Sequence, residues 1–97
     1  MRKFVVCVEW DYSEFPKNIF EECIIYPVTK TFPMEYDGYN VVGGCGRDGI
    51  RIDVYDNLEI AIQNCGFKLE HIKFKYLSVT ECLLKNKIIK KIKNVKV

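Results

Sequence analysis

The apolar periodicity changes once between residues 50 and 66, and that change constrains the fold more than any other feature of the chain. Ile50, Ile52 and Val54 alternate with Arg51, Asp53 and Tyr55, the period-two signature of a strand with one buried face. Leu58, Ala61, Ile62 and Cys65 then follow at helical spacing, one continuous stripe. Asp56 and Glu59 make a capping-box-like pair at the junction, an acid accepting backbone donors and a second acid near the positive helix end. Gly66 stops the helix because glycine enters the left-handed conformation without steric cost. Start, face and stop agree, so a strand followed by a helix is expected here.

On either side the pattern is less uniform. Residues 4–10, FVVCVEW, are β-branched and aromatic and read as a first strand, apolar on both faces until Glu9, hence central. Asp11 or Ser13 then caps an expected short helix in which Phe15, Ile19 and Cys23 recur every four residues, with Pro16 in its first turn. Pro27 and Pro33 confine the stretch IIYPVTKTF to an edge strand, and Asp37-Gly38 signals a turn before a short strand at 39–42. Residues 69–79 read as another strand, with Ile72, Phe74 and Tyr76 facing one way and His71, Lys73 and Lys75 the other. Thr80 opens a last helix with the stripe Leu84, Ile88, Ile92 and Val95; a hairpin turning at Lys85–Lys87 is the alternative. The fold class expected is α+β: an antiparallel sheet of four to five strands with two helices on one face, in the ferredoxin-like split βαβ order, plus a basic C-terminal helix or strand.

Ninety-seven residues with 48% apolar and 13% aromatic side chains suffice for one domain with its own core. The expected organisation is a domain at 1–84 and a basic extension at 85–97 docked on it. Five cysteines, an odd number, stand at 7, 23, 45, 65 and 82 with no C-x-x-C spacing, which argues against a disulfide framework and a zinc ribbon. Reduced, mostly structural cysteines are expected, with Cys45 the exception in a glycine-rich loop. The opening MRKFVVCVEW meets acidic residues too early for a signal peptide, and no apolar run is long enough to span a bilayer. A cytoplasmic protein is the expectation. Net charge is +2, but the last thirteen residues carry six lysines and no acid, so the rest is mildly acidic.

Several patterns bear on function. Gly44, Gly46 and Gly49 satisfy G-x-G-x-x-G, yet a strand follows where a dinucleotide site needs a helix. The segment reads as a hairpin turn whose backbone N–H groups, with Arg47 beside them, offer an anion nest. Glu9 and Asp11 end the first strand, and the split βαβ order places Asp11, Arg47, Asp48 and His71 on one rim. Clustered carboxylates there suit a divalent metal for phosphodiester hydrolysis. FVVCVEWDYS resembles the start of the small ferredoxin-like endonuclease subunits of CRISPR adaptation, whose first strand ends in an aspartate. Over these ten residues the resemblance implies such a metal role for Asp11. His71 is the sole histidine, and no nucleophile–base pairing appears at a specific spacing.

The leading expectation is a non-enzymatic binding module without a cofactor. It would use Trp10, Asp11, Tyr12, Cys45, Arg47 and Asp48 against a protein partner or a small phosphorylated ligand, since aromatic and arginine side chains are favoured where partners bind. The alternative is a nucleic-acid-associated protein, binding through Lys85, Lys87, Lys90, Lys91 and Lys93 or cleaving with a metal at Glu9 and Asp11. Exposed edge strands also admit a homodimer.

Overall fold

The computed structural model describes residues 2–14, 16–29 and 48–95. Strand β1 (Phe4–Glu14) is followed by β2 (Asn18–Pro27), β3 (Asp48–Tyr55), helix α1 (Leu58–Asn64), a 3₁₀ turn (Leu69–His71), β4 (Ile72–Phe74) and helix α2 (Val79–Val95). The sheet order is β3-β1-β2-β4, antiparallel at β1–β2 and β1–β3 and parallel at β2–β4. The protein is thus α+β with a mixed four-stranded sheet, and the expected all-antiparallel sheet in split βαβ order is corrected. Parallel strands require a crossover. Here α1 lies in the connection that carries the chain from the β3 edge to β4 at the other edge.

The largest correction concerns residues 11–23. Instead of a helix, the chain turns at Pro16 and Lys17 and returns as β2 against β1. A spacing of four is even, so it puts residues on one face of a strand as readily as on one face of a helix. The run Cys23-Ile24-Ile25-Tyr26, rich in strand formers, decides between them. Nor is IIYP an edge: β2 lies between β1 and β4, and Pro27 is tolerated as its final residue. The strand expected at 39–42 lies outside the described residues, as does 43–47 of the glycine-rich turn expected at 43–49, whose last residues Asp48 and Gly49 belong instead to β3.

β1 is central and buried on both faces, as its uninterrupted apolar run implies. Phe4, Val6 and Val8, with Cys23, Ile25 and Ile72, meet Leu58, Ala61, Ile62 and Cys65 of the α1 segment and Ile88 of α2. Both helices therefore cover one side of the sheet. Val5, Cys7 and Ile52 form a second buried cluster on the other side. Register puts Arg51, Asp53 and Tyr55 opposite Val8, Val6 and Phe4, so the polar positions of β3 share the helix side. Arg51 uses that position: its Nη2 donates to the Cys65 carbonyl at the end of α1 at 2.7 Å, where a cation suits the helix dipole.

The helix ends refine the sequence reading. Asn57, not Asp56, caps α1, its Oδ1 accepting the Ile60 N–H at 2.9 Å. Asp56 instead pairs with Lys3 at 3.7 Å. Gly66 takes φ +85°, as its role as a stop requires. β4 is only three residues long, because Leu69–His71 form a 3₁₀ turn and Tyr76 adopts φ +58°. Tyr76 leaves the face of Ile72 and Phe74 and stacks edge-on against Tyr26, with ring centroids 6.2 Å apart.

The residue capping α2 is Ser78 rather than Thr80. Its Oγ accepts the Glu81 N–H at 3.2 Å while Glu81 Oε1 accepts the Ser78 N–H at 2.8 Å, a complete capping box. Along α2, Ile88 is buried and Ile92 half-buried, whereas Leu84 is 43% exposed and stands at the margin of the core.

Candidate functional site

Past Val8, β1 runs out from under the apolar core, and its alternation turns aromatic and acidic. Trp10 is half-buried and packs against the edge of the helix-side core. Tyr12 lies beyond it, next to an irregularity between Asp11 and Glu14 where β1 holds one residue more than β2. Such a bulge bends the strand and re-aims its side chains. The Tyr12 hydroxyl donates to Glu21 Oε2 at 2.5 Å, and Glu21 stands opposite Trp10 in the register. That hydrogen bond is the main reason the Tyr12 phenol is held above its ordinary pKa, with lesser contributions from desolvation and the Glu21 charge.

The opposite face of this sheet end carries Glu9 and Asp11, which register with Glu22 and Phe20 of β2. Phe20 is 49% exposed. Glu9 facing Glu22 is a like-charge cross-strand pair, which is unfavourable. Lys73 of β4 offsets it by bonding Glu22. The Cys7 thiol, one step deeper on this face, is pushed up chiefly by burial and next by the Glu9 charge. The hairpin end therefore presents two faces, Trp10 and Tyr12 with Glu21 on the helix side and exposed Phe20 among Glu9, Asp11 and Glu22 on the other.

The structure brings part of the expected rim together. Trp10, Asp11 and Tyr12 are consecutive on β1, and Asp48 of β3 is in register with Asp11. Cys45 and Arg47 lie outside the described residues. His71 does not join the rim. It precedes β4, whose Ile72 is level with Cys23 two strands away from β3, and its nearest charged partner is Glu70 at 3.9 Å. Glu9 and Asp11 share a face, but among the described residues no group of three His, Cys, Asp or Glu side chains is placed to hold a metal ion.

The lysines of α2 divide by role. Lys85 sits 4.8 Å from the Phe74 ring centroid in a cation–π contact, and Lys91 bonds Glu59 of α1 at 3.0 Å. Lys87 and Lys90 are exposed on the same helix, which also contains Lys93.

Among the described cysteines Cys7, Cys23 and Cys65 are buried free thiols, and Cys82 is half-buried. Cys23 and Cys65 meet across the helix-side core. Cys65 Sγ donates to the Ile62 carbonyl at 3.3 Å and accepts the Phe67 N–H at 3.5 Å, while its proximity and then burial push the Cys23 thiol up.

Sequence reasoning missed Phe20, Glu21, Glu22 and Lys73. The signal for the first three was the turn chemistry of Phe15-Pro16-Lys17-Asn18 between two strand-like runs. Lys73 carried no local signal, because its contact with Glu22 depends on the parallel pairing of β4. No known protein family matches the chain, and neither a curated protein nor a solved structure is detectably similar to it.

Proposed function

We propose that this protein is a small non-enzymatic binding module that recognises a basic, partly apolar segment of a protein partner at the end of the β1–β2 hairpin. The observation that carries this reading is a hairpin end with exposed Phe20 among Glu9, Asp11 and Glu22 on one face and half-buried Trp10 and Tyr12 with Glu21 on the other. Aromatic anchors supply contact area at low entropic cost, and unlike charge steers the encounter. Between a protein partner and a small phosphorylated ligand, this acidic surface favours the protein, because four carboxylates repel phosphate. Arg47 and Cys45 belong to the same proposal, since Arg47 directly precedes Asp48, which registers with Asp11.

Trp10 is the sole tryptophan, so its fluorescence reports on the site directly. Titration with a positional-scanning peptide library should give the largest response for basic peptides that also carry aliphatic residues. Phe20→Ser and Asp11→Asn should each weaken that response, with the thermal midpoint of Phe20→Ser within a few degrees of the parent. Equal responses to basic and acidic peptides would sink the reading.

A second reading places nucleic acid on α2, favoured by the exposure of Lys87 and Lys90 one turn apart. Its signature is oligonucleotide binding that falls steeply with salt as phosphate contacts release counterions, and that weakens in Lys87→Ala/Lys90→Ala. Metal-dependent cleavage abolished by Asp11→Asn would extend this reading to Glu9 and Asp11. A native mass measurement at micromolar concentration reports whether the chain also pairs with itself.

A further inference from the structure

The side of α2 turned away from the core carries an exposed stripe. Ile88 and Ile92 pack toward the sheet, and Val79, Leu83, Lys87 and Lys90 recur at four-, four- and three-residue steps on the opposite face. Val79 is 79% exposed and Leu83 61%, the apolar half of the stripe. Lys87 and Lys90 are its basic half, exposed and in no ion pair with a described residue. Glu81 is the last acidic residue of the chain, so nothing in 82–97 offsets them.

A matching surface stands on the same molecule. On the sheet face away from the helices, exposed Phe20 is in register with Asp11, and Glu9 and Glu22 form the next pair on that face. Both surfaces join exposed apolar side chains to one sign of charge, and the signs are opposite. The spacing agrees as well. Lys87 and Lys90 stand about 6 and 10 Å beyond Leu83 along the helix axis. Glu9 stands about 7 Å from the Phe20–Asp11 pair along the strand. Within one copy the two cannot meet, because α2 lies on the helix side with its stripe turned outward and Phe20 is on the far side of the sheet.

We propose that the basic, partly apolar segment recognised at the hairpin end is α2 of a second copy of this chain. The inference rests on the binding-module reading above and names its partner. Val79 and Leu83 of one copy rest on Phe20 of the other. Lys73 already offsets Glu22, so Lys87 and Lys90 are matched to Glu9 and Asp11. The two sides of the contact differ, so it is heterologous, and two copies that exchange it twice close into a dimer. Its charges are near the surface, so the association is weak and falls with salt.

Sedimentation velocity of the full chain, from micromolar to millimolar concentration, tests this at low and high salt. Reversible association that weakens about tenfold or more at high salt is expected. Lys87→Glu/Lys90→Glu and Glu9→Lys/Asp11→Lys should each leave the chain monomeric. An equimolar mixture of the two variants should associate again, because each then offers the charge the other lacks. Leu83→Ser added to both should abolish that rescue, which a general attraction between oppositely charged chains would survive. A chain that stays monomeric at millimolar concentration, an association indifferent to both charge reversals, or a mixture that does not associate would each overturn the proposal. If a monomeric chain still gives the selective Trp10 response to basic peptides, self-association alone fails and the binding reading stands.

Discussion

Replacing Ile88 by alanine tests whether α2 belongs to the fold or merely follows it. Ile88 is 6% exposed and shares the helix-side core with Phe4, Val6, Leu58 and Ile72. The substitution removes three buried carbons, worth about 2.4 kcal/mol at roughly 0.8 kcal/mol each. The residual cavity adds to this, and comparable substitutions cost ~2–5 kcal/mol, so about 3 kcal/mol is expected. At about 4–8 °C per kcal/mol for a domain of this size, the thermal midpoint should fall by roughly 12–24 °C. Urea unfolding followed by far-ultraviolet circular dichroism measures the change, with Lys87→Ala on the exposed side of α2 as the control, expected within ~0.5 kcal/mol of the parent. A loss below about 1 kcal/mol for Ile88→Ala, with an unchanged denaturant slope, would refute the packing argument.

Ser78→Ala should cost about 1 kcal/mol by removing the capping oxygen from the Glu81 N–H, while Thr80→Ala stays within ~0.5 kcal/mol; equal losses in urea unfolding would contradict the assignment of the cap. Among the described cysteines, Cys82 should react with iodoacetamide first, and Cys7, Cys23 and Cys65 only as the chain unfolds. Mass spectrometry of peptides after timed labelling reads the order, and alkylation of Cys65 before Cys82 would show that the core admits the reagent. Tyr12 should ionise above the ordinary tyrosine pKa, and Glu21→Gln should bring it back toward 10.0. Because the folded-state value is raised, the Tyr12–Glu21 contribution to stability is fully present below the unfolded pKa and is lost as pH rises through the folded one. A Tyr12 midpoint, followed by NMR, that is indifferent to Glu21→Gln would show that this hydrogen bond does not form in solution.

How much was legible varied with how local the signal was. The β3–α1 unit was readable because strand alternation, helix stripe and glycine stop all lie within seventeen residues and agree. The two helix caps were less so. Asp56 and Asn57 are adjacent capping types, and only the backbone shows that Asn57 adopts the extended φ of −153° a cap requires. Ser78-x-x-Glu81 is a capping box written plainly in the sequence, hidden because a strand was expected to run to residue 79. Of the candidate surface, Trp10, Asp11 and Tyr12 could be marked from composition, but their neighbours Phe20, Glu21 and Glu22 appeared only when β2 folded back on β1. The Arg2–Glu81 contact joins residues 79 positions apart and left no local trace.

By itself the sequence determined that 4–10 is a central strand and that 50–66 is a strand then a helix, and it favoured a helix over a hairpin for the end of the described chain. Tertiary structure decided three things: that 18–27 is a strand, that β4 pairs in parallel with β2, and that the helices lie on the side of Arg51, Asp53 and Tyr55. The division has one cause. Periodicity records that a face is buried, because each side chain must leave water for some apolar neighbour. It does not record which neighbour, and an interval of four residues is common to a helix face and a strand face. Only contacts between distant segments, here β1 against β2 and β3, remove that ambiguity.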